Sequence, residues 1–332
     1  MKLITGLFAL WCLVHSFQAE LSPAGFTRMV GGDDVELGQF PFVVHLYIHD
    51  QGQRRQCLGT LVTPDSVLTS AQCMLDTQNK VNLNLTVEAV VGSVENVPTN
   101  QGVYIEVKDY LLQPNYTANA LSNNLAVVYL QSNVTLNANT TTVQVYNKAI
   151  DEDTGVTVVG SDDDDKPTDT DPGDLQFAPL KVGNETQCKK VVKDYYRNGP
   201  TLCVMTSDEP DICQGDSGGP LLIQEGKSWY LVGFLGGKNI VSGSSQCGGA
   251  GGVSFFTRVA HYLPWLTTQA GLKNSTITFG TGGEPADPPA NITQTDDTTI
   301  TTTTPESKSL SAPKLDWWWC LPLGGLLSLA LV

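Results

Sequence analysis

Between residues 29 and 265 the apolar residues come in short runs that turn signals interrupt every few positions. Residues 40–48, 59–62, 66–70, 125–130, 155–159, 220–223 and 229–234 are rich in Val, Leu, Thr, Phe and Tyr and are bounded by Gly, Pro, Asp or Asn. Such runs predict strands, because branched and aromatic side chains pack well on a pleated surface. Two segments, 185–196 and 261–272, predict helices. Many short strands separated by turns predict an all-β barrel or sandwich, and the pattern alone leaves those two architectures open.

The two ends depart from this pattern. Lys2, an apolar run over residues 3–14 and small or polar residues up to Ala19 predict a secretory signal peptide over 1–19, cut after Ser16 or Ala19. Residues 20–28 then read as a propeptide and 29–272 as the folded body. From 273 to 315 the chain is dominated by Thr, Ser, Gly, Pro and Asp. So few apolar groups cannot offset the entropy of ordering, which predicts an extended, O-glycosylated stalk, or its bare disordered equivalent. Residues 316–332 form an apolar tail. Residues 317–332 would span roughly 24 Å as a helix, short of a ~30 Å hydrocarbon core. Small residues upstream at Ser307, Ser309, Ser311 and Ala312 make a GPI-attachment signal the expectation, with a membrane-spanning anchor as the alternative. Either tail predicts an extracellular protein attached to the cell surface.

Charge narrows the partners. Only 16% of residues are charged, and the formal net charge is −15. No Lys/Arg run offsets this field, so nucleic acid and anionic surfaces are excluded as partners, and a protein or peptide is expected instead. The run Asp162-Asp163-Asp164-Asp165-Lys166, with Asp169, Asp171 and Asp174, predicts a solvated acidic loop. It lacks the spacing of an EF-hand. Secretion implies an oxidising compartment, so Cys57, Cys73, Cys188, Cys203, Cys213 and Cys247 are read as disulfides, their pairing left open by number alone. No CxxC pair or His cluster accompanies them, so no metal and no cofactor is expected. Sequons at Asn84, Asn115, Asn133, Asn139, Asn184, Asn274 and Asn291 predict a glycoprotein.

Four blocks then carry a resemblance. Arg28-Met29-Val30-Gly31-Gly32 is similar to an activation junction. Cys57-Leu58-Gly59-Thr60-Leu61-Val62 with Val67-Leu68-Thr69-Ser70-Ala71-Gln72-Cys73 is similar to a histidine-bearing block. Asn123-Asn124-Leu125-Ala126 is similar to an aspartate-bearing block, and Asp211-Ile212-Cys213-Gln214-Gly215-Asp216-Ser217-Gly218-Gly219-Pro220 to a serine-bearing block. Together they resemble the chymotrypsin-like (trypsin-type) serine proteases. The resemblance implies two six-stranded antiparallel β-barrels with a C-terminal helix and a site in the cleft between the barrels. It also implies the disulfides Cys57–Cys73, Cys188–Cys203 and Cys213–Cys247. It makes Ser217 the nucleophile and the N–H groups of Gly215 and Ser217 the oxyanion donors. Arg28, Met29 and Asp216 become the activation set, and Asp211 the floor of a Lys/Arg pocket.

Two positions break the pattern. The base position is Gln72 and the orienter position is Asn124. A carboxamide has no basic pair near pH 7, so Gln72 cannot take the serine proton, and Asn124 supplies no negative charge. Losing the base typically costs ~10⁴ to 10⁶ in turnover. His45, His49 and His261 are expected to be packing or surface residues. The segment Leu235-Gly236-Gly237-Lys238 lacks the Ser-Trp-Gly that the resemblance implies, and two readings of Lys238 stay open: it points to solvent, or it pairs with Asp211 and blocks the pocket. The sequence thus predicts a non-catalytic serine protease homologue that binds a protein or peptide, such as a protease inhibitor or a protease. The alternatives are a weak or unconventional trypsin-like endopeptidase and a structural or adhesive surface glycoprotein.

Overall fold

The structure, a computed structural model, describes residues 32–82, 84–95, 101–118, 120–161, 174–205, 217–236 and 252–272. Its strands run β1 (Asp33–Asp34), β2 (Val43–Asp50), β3 (Gln53–Thr63), β4 (Ser66–Thr69), β5 (Thr86–Val91), β6 (Val103–Leu112), β7 (Ala126–Leu130), β8 (Gln144–Val145), β9 (Gly155–Ser161) and β10 (Leu175–Val182). Helix α1 (Glu185–Val191) follows, then β11 (Thr201–Met205), β12 (Pro220–Glu225), β13 (Ser228–Leu235), β14 (Val253–Arg258) and helix α2 (Leu263–Thr268). Single 3-10 turns occupy Ala71–Met74 and Val259–Tyr262.

The strands close into two antiparallel barrels of six. In the first the order is β2-β3-β4-β7-β6-β5, with β5 pairing back onto β2. In the second, β9 pairs both β10 and β12, which closes the ring β9-β10-β11-β14-β13-β12. Among the described residues, closure leaves no long unpaired edge. The short strands β1 and β8 lie outside the ring, against β10 and β13. Irregular register in β3, β6 and β12 bends those strands where the barrels turn.

Three apolar clusters explain why the rings close. Leu46, Ile48, Val67, Ala89 and Val128 fill the first barrel. Val156, Val158, Leu202, Val204, Leu221 and Val232 fill the second. A third cluster joins the barrels, with Phe40, Leu58, Leu68 and Val127 meeting Leu222, Leu231, Phe234 and Trp265. This shared core holds the two barrels face to face and fixes the cleft between them.

The expected strands fall on β2, β3, β4, β7, β9, β12 and β13. Both helices are shorter than expected. Asn184 caps α1, its Oδ1 accepting from the Thr186 N–H, but Val192 is already extended. Cys188 is bonded to Cys203, and the Tyr195 hydroxyl accepts from the Cys203 N–H, so the chain leaves the helix to reach β11. The second helical segment begins as a 3-10 turn and becomes α2 only at Leu263. Near its end the Thr267 and Thr268 hydroxyls bond back to the carbonyls of Leu263 and Pro264, a competition that weakens a helix end. Two phenols tie this C-terminal segment to the first barrel. The Tyr129 hydroxyl donates to Ala270 O at 2.6 Å, and the Asn123 N–H donates to the Tyr262 oxygen at 2.6 Å.

Candidate active site

Each barrel brings one half of the site to the cleft. On the first, β4 ends at Thr69 and Ser70 runs extended into the 3-10 turn that carries Gln72. The turn is fastened twice. Cys73 is bonded to Cys57 of β3, and the buried Ser70 hydroxyl donates to Leu235 O on β13 at 2.6 Å. Asn124 sits just before β7. Its neighbour Asn123 has φ +60°, a left-handed conformation that asparagine tolerates better than most residues. That twist, held by Tyr262, turns the Asn124 side chain inward, where it is fully buried.

On the second barrel, Ser217 precedes Gly218 and β12. Gly218 has φ +79°, and a Cβ there would lie 2.1 Å from Leu58 O and 2.4 Å from Thr69 Oγ1. Only glycine fits. The same closeness lets Leu58 N–H donate to Ser217 O at 2.9 Å and Thr69 Oγ1 to Leu58 O at 2.6 Å, so the serine is stitched to the opposite barrel.

Gln72, Asn124, Gly236 and Ser217 form one hydrogen-bonded chain. The backbone N–H of Gln72 donates to Asn124 Oδ1 at 2.9 Å. Asn124 Nδ2 donates to Gly236 O at 2.8 Å and to Gln72 Oε1 at 3.1 Å. Gln72 Nε2 donates to Ser217 Oγ at 2.9 Å. The structure therefore brings Gln72, Asn124 and Ser217 together. It adds two residues that the sequence reading did not assign to the site. Gly236 O receives Asn124, and Ser70 ties the Gln72 turn to β13. The only sequence signal for Gly236 was the departure from the Ser-Trp-Gly segment. A Cβ at 236 would meet Thr257 Oγ1 at 2.8 Å, which suits a glycine there.

No imidazole joins this chain among the described residues. His45 is fully buried in the first barrel, its Nε2 3.2 Å from Ser93 O and its Nδ1 3.3 Å from Gln56 Nε2. Burial pulls its pKa down to about 4, against a smaller upward pull from the Ser93 carbonyl, so it is neutral at pH 7. His49 faces Glu88 at 3.3 Å on the barrel exterior. His261 lies edge-on to Tyr262 in the 3-10 turn, with its pKa lowered by burial and then by the Arg258 charge.

Several expected site residues lie outside the described residues: Arg28, Met29, Asp211, Gly215, Asp216 and Lys238, with Cys213 and Cys247. The Asp211–Lys238 pair, the activation contact, one oxyanion donor and the third disulfide therefore remain sequence expectations. Of the sequons, Asn84, Asn115, Asn133 and Asn184 are exposed and Asn139 is half-buried. Asn274 and Asn291 lie outside the described residues, as do the signal, the stalk, the tail and most of the acidic loop. Among the described residues no group of three or more His, Cys, Asp or Glu could hold a metal, and no helix is long and apolar enough to cross a membrane.

A family model described as trypsin matches residues 29–266. CLIP domain-containing serine protease B15 of Anopheles gambiae is 28% identical over 261 residues, covering 73% of this chain and 69% of that protein. Transmembrane protease serine 11C of Mus musculus is 27% identical over 255 residues, covering 74% and 54%. Vitamin K-dependent protein C of Mus musculus is 26% identical over 259 residues, covering 75% and 53%. The chain thus spans about half the length of the latter two.

Proposed function

Because this chain belongs to the trypsin family of serine proteases, yet carries amides where that chemistry needs a base and a carboxylate, we propose that it is a non-catalytic member that acts by binding a protein or peptide. The observation that carries the reading is the 2.9 Å bond from Gln72 Nε2 to Ser217 Oγ. A nucleophilic serine must give its hydrogen to its neighbour as it attacks. Here the neighbour gives a hydrogen to the serine, and an amide nitrogen has no basic pair to receive one back.

The same reading places the protein outside the cell. The Cys57–Cys73 and Cys188–Cys203 disulfides suit an oxidising compartment, and the apolar C-terminal tail would attach it to the surface through a GPI anchor. A negative net charge of 15 favours a basic protein partner over nucleic acid. A protease or a protease inhibitor that recognises the cleft fits this description.

Hydrolysis tests the reading. The purified full chain is expected to leave a mixed peptide library uncut. The double variant Gln72→His with Asn124→Asp is expected to raise cleavage by about 10³-fold or more, since a restored base and orienter supply contributions of that order. Wild-type turnover within about tenfold of an active trypsin-type enzyme would favour the runner-up, an unconventional endopeptidase.

A further inference from the structure

Among the described residues, the Ser217 end of the site has hydrogens to spare. Ser217 Oγ accepts from Gln72 Nε2 at 2.9 Å, so the hydroxyl cannot return its own hydrogen along that bond. That hydrogen is left to donate elsewhere, and no described residue takes it. Gln72 Nε2 keeps a second hydrogen with no described partner, and the Ser217 backbone N–H is in the same position. Both residues are half-buried, so a solute can reach them. The amide oxygens behind them are already engaged: Gln72 Oε1 takes a hydrogen from Asn124, and Asn124 Oδ1 takes one from the Gln72 backbone. Neither amide carries a charge, so nothing at positions 72 and 124 repels an anion. An imidazole lone pair and a carboxylate at the same two positions would.

We propose that the cleft is a receptor for the free C-terminal carboxylate of a peptide, the end that another protease leaves when it cuts a chain. The inference rests on the non-catalytic, peptide-binding reading and deepens it by naming the ligand class. A carboxylate only accepts, and its two oxygens offer about four lone-pair sites, enough for the three unclaimed hydrogens of Ser217 and Gln72. Hydrogen bonds to a charged acceptor are roughly twice as strong as those to a neutral one. The carbonyl of an uncut peptide offers a single oxygen and no charge, so the cut end is the better ligand. A chain end carries its negative charge whatever its sequence, which leaves the peptide behind it free to be basic. A net charge of −15 favours that combination over a partner rich in acidic side chains. Gln72, Asn124 and Ser217 do not ionise near neutrality, so the preference does not change with pH there. A receptor built on an imidazole would take the anion only when protonated, below about pH 6.5.

The test is the retention of N-acetylated peptides of random sequence by the immobilised full chain, expressed in a secreting cell. One pool ends in the free acid and the other in the C-terminal amide. Wild type is expected to retain the acids at least about tenfold better, the change that a bond to a charged acceptor supplies. The preference should hold between about pH 5.5 and pH 8. Ser217→Ala should lower it by about tenfold. Gln72→Glu, which places a negative charge beside Ser217, should abolish it at neutral pH. The comparison of acid with amide is made on wild type and does not depend on the folding of either variant. Equal retention of the two pools overturns the carboxylate assignment and leaves the non-catalytic reading standing. Retention of amides that contain Asp or Glu, at the level of the acids, overturns the chain end as the source of the charge. A preference unchanged in both variants overturns Ser217 and Gln72 as the site. Retention of neither pool overturns the peptide-binding reading as well, and cleavage of either pool overturns the non-catalytic one.

Discussion

The two sides of the cleft meet the same demand by different means. The Ser217–Gly218 turn is fixed by space: an added Cβ would sit 2.1 Å from a backbone oxygen of the other barrel. The Gln72–Asn124 side is fixed by pairing, with both ends of each side-chain amide given a partner. Shape on one side is indifferent to proton chemistry. Pairing on the other side is satisfied as well by two amides as by an imidazole and a carboxylate. The comparison teaches that this geometry is compatible with amides at positions 72 and 124, since neither close packing nor the pairing of those amides requires a proton to move.

Three measurements would break or sharpen that contrast. The largest effect is expected from Gly218→Ala, which adds a Cβ where φ is +79° and backbone is 2.1 Å away. Strain and overpacking together should cost about 4 kcal/mol, read as a collapse in the urea midpoint or in secreted yield. A stability near wild type would mean the turn is held by something other than space.

Next comes pH. None of Gln72, Asn124 and Ser217 ionises near neutrality, so the site should be pH-indifferent while the frame behind it is not. His45 titrates at about 4 in the fold and at 6.5 when unfolded. Between those values the unfolded chain binds the extra proton, so stability falls as pH drops from 6.5 towards 4, by about 3 kcal/mol in all. Glu185 and Glu225, each held below the usual carboxylate range by a hydrogen bond from lysine, lose their contribution only at lower pH. Urea unfolding at pH 7 and pH 4.5 measures the slope, and a His45→Gln variant should flatten it.

The smallest of the three effects is expected from Asn124→Ala. It strands the Gln72 N–H and the Gly236 carbonyl and should cost about 2 kcal/mol. An equal loss in the Ser217→Ala protein would assign the pairing to the serine instead.

How much of this was legible in the sequence depended on whether the signal was local. The blocks around Cys57, Gln72, Asn124 and Ser217 are local, and the structure places Gln72, Asn124 and Ser217 together. The strands β5, β6, β10 and β11 were not marked. β10 carries Pro179 opposite Thr157, a residue that normally argues against a paired strand. In β6 the register shifts between Val107 and Asp109, which breaks the alternation a reader looks for. The length of α1 was overread because its stop comes from Cys188 and Tyr195, contacts made with a later strand. Gly236 was seen only as a missing motif. Its role lies in a carbonyl, and no side-chain pattern announces where a carbonyl will point.

Tyr262 gives this arrangement a mechanical side. Its phenol touches the backbone of Asn123, one residue from the buried amide of the cleft, and it stands at the start of the last described segment. Tyr129 grips the same segment further along, at Ala270. Tension applied beyond Leu272 would thus load the Tyr129 grip first and the Tyr262 grip second. A pull passed along that segment would reach the floor of the cleft through the Asn123 backbone.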